Sequence, residues 1–252
     1  MTVVNRQTAD GITTVTLDRP EALNAFNNAV FDELCDAFSS AATDDQCKVL
    51  VLTGAGRAFS AGADLKAKGI DSTPRHGLAG LLEAIIDFRK PFVVAANGLG
   101  VGIGCTILGL ADIAFAAESA RFRCPFSSLG ITAEASSTYT FPRLLGHQRA
   151  SWILLSAEWV SSVEAKDAGL VNEVLPDEGF LDAVMEKVCV LAALPKDSLI
   201  QTKDLIVGPQ REAMKAAVRS ENAALDRMSG GPANQEAIAA FKEKRTADFS
   251  NL

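Results

Sequence analysis

A chain of 252 residues, 48% hydrophobic and 22% charged, is long enough to bury a large core and has the balance of a folded globular protein. Its 24 basic against 31 acidic residues give a formal charge of −7, the wrong sign for a nucleic-acid surface. No apolar run approaches the roughly 20 residues of a membrane helix, and the first residues lack a basic-then-apolar leader, so a cytoplasmic protein with no membrane partner is expected. Cys35, Cys47, Cys105, Cys124 and Cys189 show no C-x-x-C spacing, which argues for reduced thiols. With only His76 and His147 besides, neither a metal site nor a histidine-based triad is expected.

The pattern then alternates. GITTVTLDRP, residues 11–20, reads as a half-buried strand, and apolar side chains at helical spacing predict a helix over 27–42. KVLVLTGAG, residues 48–56, is a continuous apolar run typical of a strand covered on both faces. A helix over 78–88, a buried strand over 91–97, a helix over 103–110 and a strand over 112–117 follow. Strands alternating with helices predict an α/β protein with a mostly parallel sheet. Beyond about residue 146 the periodicity is helical, with one short strand expected over 171–175 and with prolines at 176, 195, 209 and 232 as breaks.

NGLGVGIGCT, residues 97–106, holds four glycines at alternate positions and no charged side chain. It fits neither G-x-G-x-x-G nor a P-loop, which needs a lysine. A second glycine-bearing turn, RAFSAGADLK, residues 57–66, follows another buried strand. Two such turns could aim backbone N–H groups at one oxygen, or could be tight turns required by helix packing.

Taken in order, LDRPEALNAF, AFSAGADL, the glycine turn, PFSSLG, AKDAGLVNEV and AFKEKR resemble the enoyl-CoA hydratase/isomerase family, the crotonase superfamily, over essentially the whole chain. The resemblance implies a crotonase-like spiral of β-β-α units, with an acyl-CoA-binding core over 1–195 and a helical oligomerisation region over 196–252. It also implies that the amides of Ala63 and Ile103 hold the thioester carbonyl as an oxyanion hole, where each donor is worth about 10² to 10³ in rate.

Family hydratases carry two glutamates, and the matching positions here are Thr106 and Phe126, which disfavours hydration. Glu134 lies shortly downstream among Phe126, Ile131, Ala133 and Ala135, before a helix opened by Ser136 or Ser137. Enclosed so, its pKa would rise toward neutrality as a general base requires; as a helix-start acid it would only complement the dipole. The stretch is similar to that of the 3-enoyl-CoA to 2-enoyl-CoA isomerases, which implies Glu134 as the single base. A dienoyl-CoA isomerase, or an acyl-CoA-binding protein without turnover, is the alternative.

By the same resemblance Ala22, Leu23, Ala61, Gly62 and Leu65 contact the CoA, which is part of the substrate and not a separate cofactor. Lys66 and Arg19 are candidate phosphate contacts or solvated surface, and Asp64 is read as a turn or helix cap. Leu78, Leu82, Leu99, Ile103 and Phe126 could line an acyl tunnel or simply pack a core. Residues 72–80 could form a flap. FKEKR is either a solvated helix end or, through Phe241 and Lys244, a contact to a neighbour's CoA in a homotrimer or hexamer.

Overall fold

The computed structural model describes residues 2–65 and 73–252. It begins with a hairpin of β1 (Val4–Ala9) and β2 (Ile12–Leu17), whose Asp10–Gly11 turn has positive φ at both positions, as a two-residue hairpin demands. Then come α1 (Asn28–Thr43), β3 (Val49–Gly54), β4 (Ala58–Ser60), α2 (Gly77–Asp87), β5 (Phe92–Ala96), β6 (Leu99–Val101) and α3 (Ile103–Thr106). A 3-10 turn separates α3 from β7 (Ile113–Ala117), which leads to β8 (Arg121–Arg123), α4 (Ser137–Leu145), α5 (His147–Ser156) and β9 (Trp159–Ser161). The rest is helical apart from β10 (Glu173–Leu175): α6 (Ser162–Ala168), α7 (Phe180–Ala192), α8 (Lys196–Val207), α9 (Arg211–Met228) and α10 (Pro232–Glu243).

The strands form two sheets, β1-β2-β3-β5-β7-β10 and β4-β6-β8-β9. All neighbours run parallel except the β1–β2 and β8–β9 pairs. Each of β3, β5 and β7 sits in the first sheet and hands the chain to a three-residue strand of the second before a helix, so the unit is β-β-α, repeated as a spiral. The long strands match the apolar runs. The second sheet and β1 do not: β4 and β6 lie in stretches read from sequence as turns, β1 and β8 in stretches given no element, and β9 adds a second strand beyond residue 146. Three residues are too few to show a period of two, and β6 is built around glycine.

The core lies between the first sheet and the helices. Phe38 of α1 meets Phe88 and Phe92 edge-on, with centroids 5.3 and 5.0 Å apart, and each ring is worth about 1.5 to 3 kcal/mol in burial. The helical C-terminal region is pinned to this core by Lys203 of α8, buried, whose Nζ lies 2.7 Å from Asp112 Oδ2 and 2.9 Å from the Lys90 carbonyl. Asp112 also accepts the Phe92 amide at 2.7 Å, a structural duty. Among the described residues no helix is long and apolar enough to cross a membrane.

Candidate active site

The segment before α1 and the turn after β4 are zipped together. Leu23 O accepts the Ala61 amide at 2.9 Å, Gly62 O the Phe26 amide at 2.7 Å, and Phe26 O the Asp64 amide at 2.9 Å. Asn24, 1% exposed and left-handed at φ 56, locks the pair: its side chain takes the Arg19 amide and donates to Ala55 O and Ala58 O, while its carbonyl accepts the Ser60 hydroxyl. Sequence reading passed over Asn24; an Asn between two apolar residues in a turn region was the available clue, since Asn tolerates this backbone region.

The two glycine turns abut. A Cβ on Gly62, at φ +83, would sit 2.7 Å from Val101 O and 3.7 Å from the Gly102 Cα. A Cβ on Gly104 would sit as close to Ser60 O, at 2.7 Å. The glycine density therefore first serves the protein's own backbone, letting β6 and α3 ride against β4. It also sets Ala63 and Ile103 side by side, each directly after one of the touching glycines. Among the described residues neither the Ala63 nor the Ile103 amide has a protein acceptor. Two donors left without a protein acceptor are what a developing negative oxygen would need.

Glu134 precedes α4 on a turn whose next two residues, Ala135 and Ser136, both have φ 58. Its carbonyl accepts from the Ser137 amide at 3.1 Å and the Ser137 hydroxyl at 2.6 Å. The residue keeps partial contact with solvent, but burial of the carboxyl, reinforced by the like charge of Glu221, pushes its pKa up to about 7. Glu134 also bears on the buried Cys124 thiol, whose pKa is raised well above the ordinary value by its hydrogen bond with Cys105, by burial and by both neighbours' charge. Because Cys105 lies on α3 two residues after Ile103, the charge of Glu134 is felt beside the helix that begins at Ile103.

Neither Ser136 nor Ser137 caps α4 with its side chain. Glu221 of α9 does so instead: one carboxylate oxygen accepts the Ser136 amide at 2.7 Å, the other the Thr138 amide at 3.0 Å and the Thr138 hydroxyl at 2.6 Å. Glu221 falls on the stripe of Met214 and Val218, and an acid at i+7 of an apolar stripe was the readable sign of it.

Other expectations change. Asp64 forms a salt bridge with Arg19 at 3.0 Å, and Arg19 also donates to Ala25 O, so its guanidinium is engaged within the chain. Lys66 and residue 72 of the expected flap lie outside the described residues; Arg75, His76 and Gly77 give their amides to Asp32. Leu82, Ile103 and Phe126 are buried in core clusters, Leu82 with Ile86, Ala135, Met214 and Val218, which leaves only the partly buried Leu78 and Leu99 of the five as open lining. Ala22 and Leu23 are partly buried, Leu65 is exposed, and Phe241 is 65% exposed, one position before Lys242 and near Lys244 at the end of α10. Cys189 is exposed, unlike the other four cysteines.

The enoyl-CoA hydratase/isomerase family model matches residues 7–251. A 2,3-dehydroadipyl-CoA hydratase of Escherichia coli (strain K12) is 34% identical over 98% of this chain and 97% of its own length. Enoyl-CoA delta isomerase 2 of Rattus norvegicus is 37% identical over 84% of this chain, which spans 56% of that protein. The crystal structure of an enoyl-CoA hydratase/isomerase from Pseudoalteromonas atlantica T6c superposes with a TM-score of 0.94 at 32% identity, covering 98% of this chain and all of that one. The chain belongs to the enoyl-CoA hydratase/isomerase family and has the crotonase fold.

Proposed function

We propose that this enzyme moves a double bond from the 3 to the 2 position of an enoyl-CoA, with Glu134 as the single base. The observation that carries the reading is a carboxyl with a pKa raised to about 7 where both hydratase acid positions hold other residues. Thr106 spends its hydroxyl on Gly102 O at 3.3 Å, and Phe126 is buried. Relatives named for hydration and for isomerisation are alike in similarity, so the reading is supported by these side chains instead.

The thioester carbonyl accepts hydrogen bonds from the Ala63 and Ile103 amides. Glu134 takes the proton from C2, and the electron pair of that bond moves onto the carbonyl as a dienolate. The carbonyl then re-forms, the double bond closes between C2 and C3, and C4 takes the proton back from Glu134. A carboxyl titrating near 7 suits both transfers at neutral pH.

In this reading Ala22, Leu23, Ala61, Gly62, Asp64, Leu65 and Lys66 hold the CoA, Leu99 bounds the acyl group, and no cofactor is used. Trp152, Leu155, Leu205 and Ile206 are 63 to 80% exposed, apolar surface of the kind a homotrimer or hexamer covers. There Phe241 and Lys244 reach a neighbour's CoA. Incubation with trans-3-hexenoyl-CoA, followed by chromatography, is expected to give the 2-enoyl isomer. Efficient hydration of a 2-enoyl-CoA instead would overturn the assignment.

A further inference from the structure

The acid on α9 is the least expected charged group near the site. Glu221 is 4% exposed, on the buried face of α9 with Met214 and Val218, and three donors from the Ser136–Thr138 backbone and hydroxyl converge on its two oxygens. Those donors belong to the turn that directly follows Glu134. Two successive non-glycine residues in the left-handed region cost on the order of 1 to 3 kcal/mol each and persist only where their surroundings enforce them. The turn carries a second sign of constraint: the Ser136 hydroxyl is buried without a hydrogen-bond partner among the described residues. An ordinary N-cap serine would have opened this helix without a remote acid, yet Ser136 sits at the cap with its side chain unused.

We propose that Glu221 is a positioning residue of this site: its carboxylate clamps the left-handed Ala135–Ser136 turn so that Glu134 is held in place, and faces Glu134 with a like charge. This rests on the isomerase reading only for its effect on turnover. The clamp fixes the turn from one side, the Ser137 bonds to Glu134 O from the other. Removing it frees the turn to relax toward ordinary backbone.

The ionisable groups around Glu134 leave the charge effect to Glu221. From the end of β8 comes Cys124, whose hydrogen bond with Cys105 of α3, burial and the charges of Cys105 and Glu134 keep that thiol protonated. From α2 come only apolar Leu82 and Ile86; Glu83 is exposed, and Asp87 is paired with Lys215 at 2.8 Å. On α4, Arg143 stacks over Tyr139 at 3.4 Å. A base held up by a neighbouring acid should follow that acid's charge, whereas one held only by a helix cap should not.

The test is Glu221→Gln beside Glu221→Asp in the full chain, read by kcat for 3-enoyl-CoA isomerisation, by its dependence on pH, and by 13C NMR titration of labelled glutamate carboxyls, with Glu134→Gln assigning the resonance. In Glu221→Gln the charge goes and one oxygen becomes an amide that cannot accept a backbone N–H. Its kcat is expected to fall about 100-fold, while the Glu134 titration and the acid limb of the rate move down by about one pH unit. In Glu221→Asp the charge stays and the reach shortens, so kcat falls with the titration left near its original place. Thr138→Val removes one of the three hydrogen bonds and no charge, and is the milder variant if either glutamate replacement fails to fold; it is expected to lower kcat about threefold to tenfold.

An unmoved Glu134 titration in Glu221→Gln overturns the proposal, whether kcat falls with it, as for a mere helix cap, or stays. Should the parent protein move no double bond at all, the isomerase reading fails. The titration, which needs no substrate, still decides on Glu221.

Discussion

The two halves of the site are made of different materials. Around Ala63 and Ile103 it is backbone, carried on strands of three residues and fixed by neighbours that glycine allows to touch. Around Glu134 it is one side chain on a left-handed turn, held by an acid 85 positions further along the chain from Ser136. One half is set by excluded volume and the other by charge and reach. They should therefore fail differently, the first under added atoms and the second under changed charge.

The largest effect belongs to the charged half. Glu134→Gln keeps the shape and removes the base, so kcat should drop by about 10² to 10⁴ in steady-state assays with folding intact by circular dichroism. A residual rate within tenfold of the parent would show that Glu134 moves no proton. In the backbone half, Gly62→Ala puts a methyl 2.7 Å from Val101 O at φ +83, and the turn must shift. A loss of about 10² to 10³ in kcat is expected as the Ala63 amide leaves its place, together with a lowered Tm. If Tm falls and the rate holds, that turn is structural alone.

The same Glu134→Gln separates the halves through stability. Burial raises the folded pKa from 4.5 to about 7, so between these values the folded state binds the proton that the unfolded chain has released. Stability is thus lost as pH rises from about 4.5 to 7, by up to about 3 kcal/mol, and stays lost above. Glu134→Gln should be more stable than the parent at pH 8 and equal to it near pH 4, as urea unfolding at the two pH values will read. A gain that does not depend on pH would mean that the carboxyl ionises freely.

Legibility followed the same division. The buried strands over residues 49–54 and 92–96 were readable because a sheet covered on both faces needs an unbroken apolar run. The second sheet was not, because its strands are short and β6 includes a glycine that looks like turn chemistry. The glycine loop was legible as a place of close approach, and the packing alternative accounts for part of it: a Cβ at Gly98 or Gly104 would meet the carbonyl of Arg57 or Ser60. Glu134 stood out through apolar neighbours within a few residues, a local property. What holds it, Glu221, belongs to a helix that meets the turn only in the folded chain, so sequence proximity carried no trace of the pairing. Only the interruption of the Met214–Val218 stripe by an acid pointed to it.

The smallest expected effect tests the boundary between the halves, at Thr106. It stands on α3, three residues after Ile103, at a position where family hydratases carry an acid, is fully buried, and hydrogen-bonds Gly102 O at 3.3 Å. Thr106→Val keeps the volume and removes that one bond, which should cost about 1 kcal/mol of stability and leave kcat for isomerisation within about threefold. The prediction follows from the proposed division of labour: if main chain holds the oxygen and Glu134 carries the proton, there is no step for a hydroxyl at 106. A hundredfold fall in kcat with Tm nearly unchanged would place that hydroxyl among the reacting atoms, and the lone-base chemistry would have to be rewritten around it.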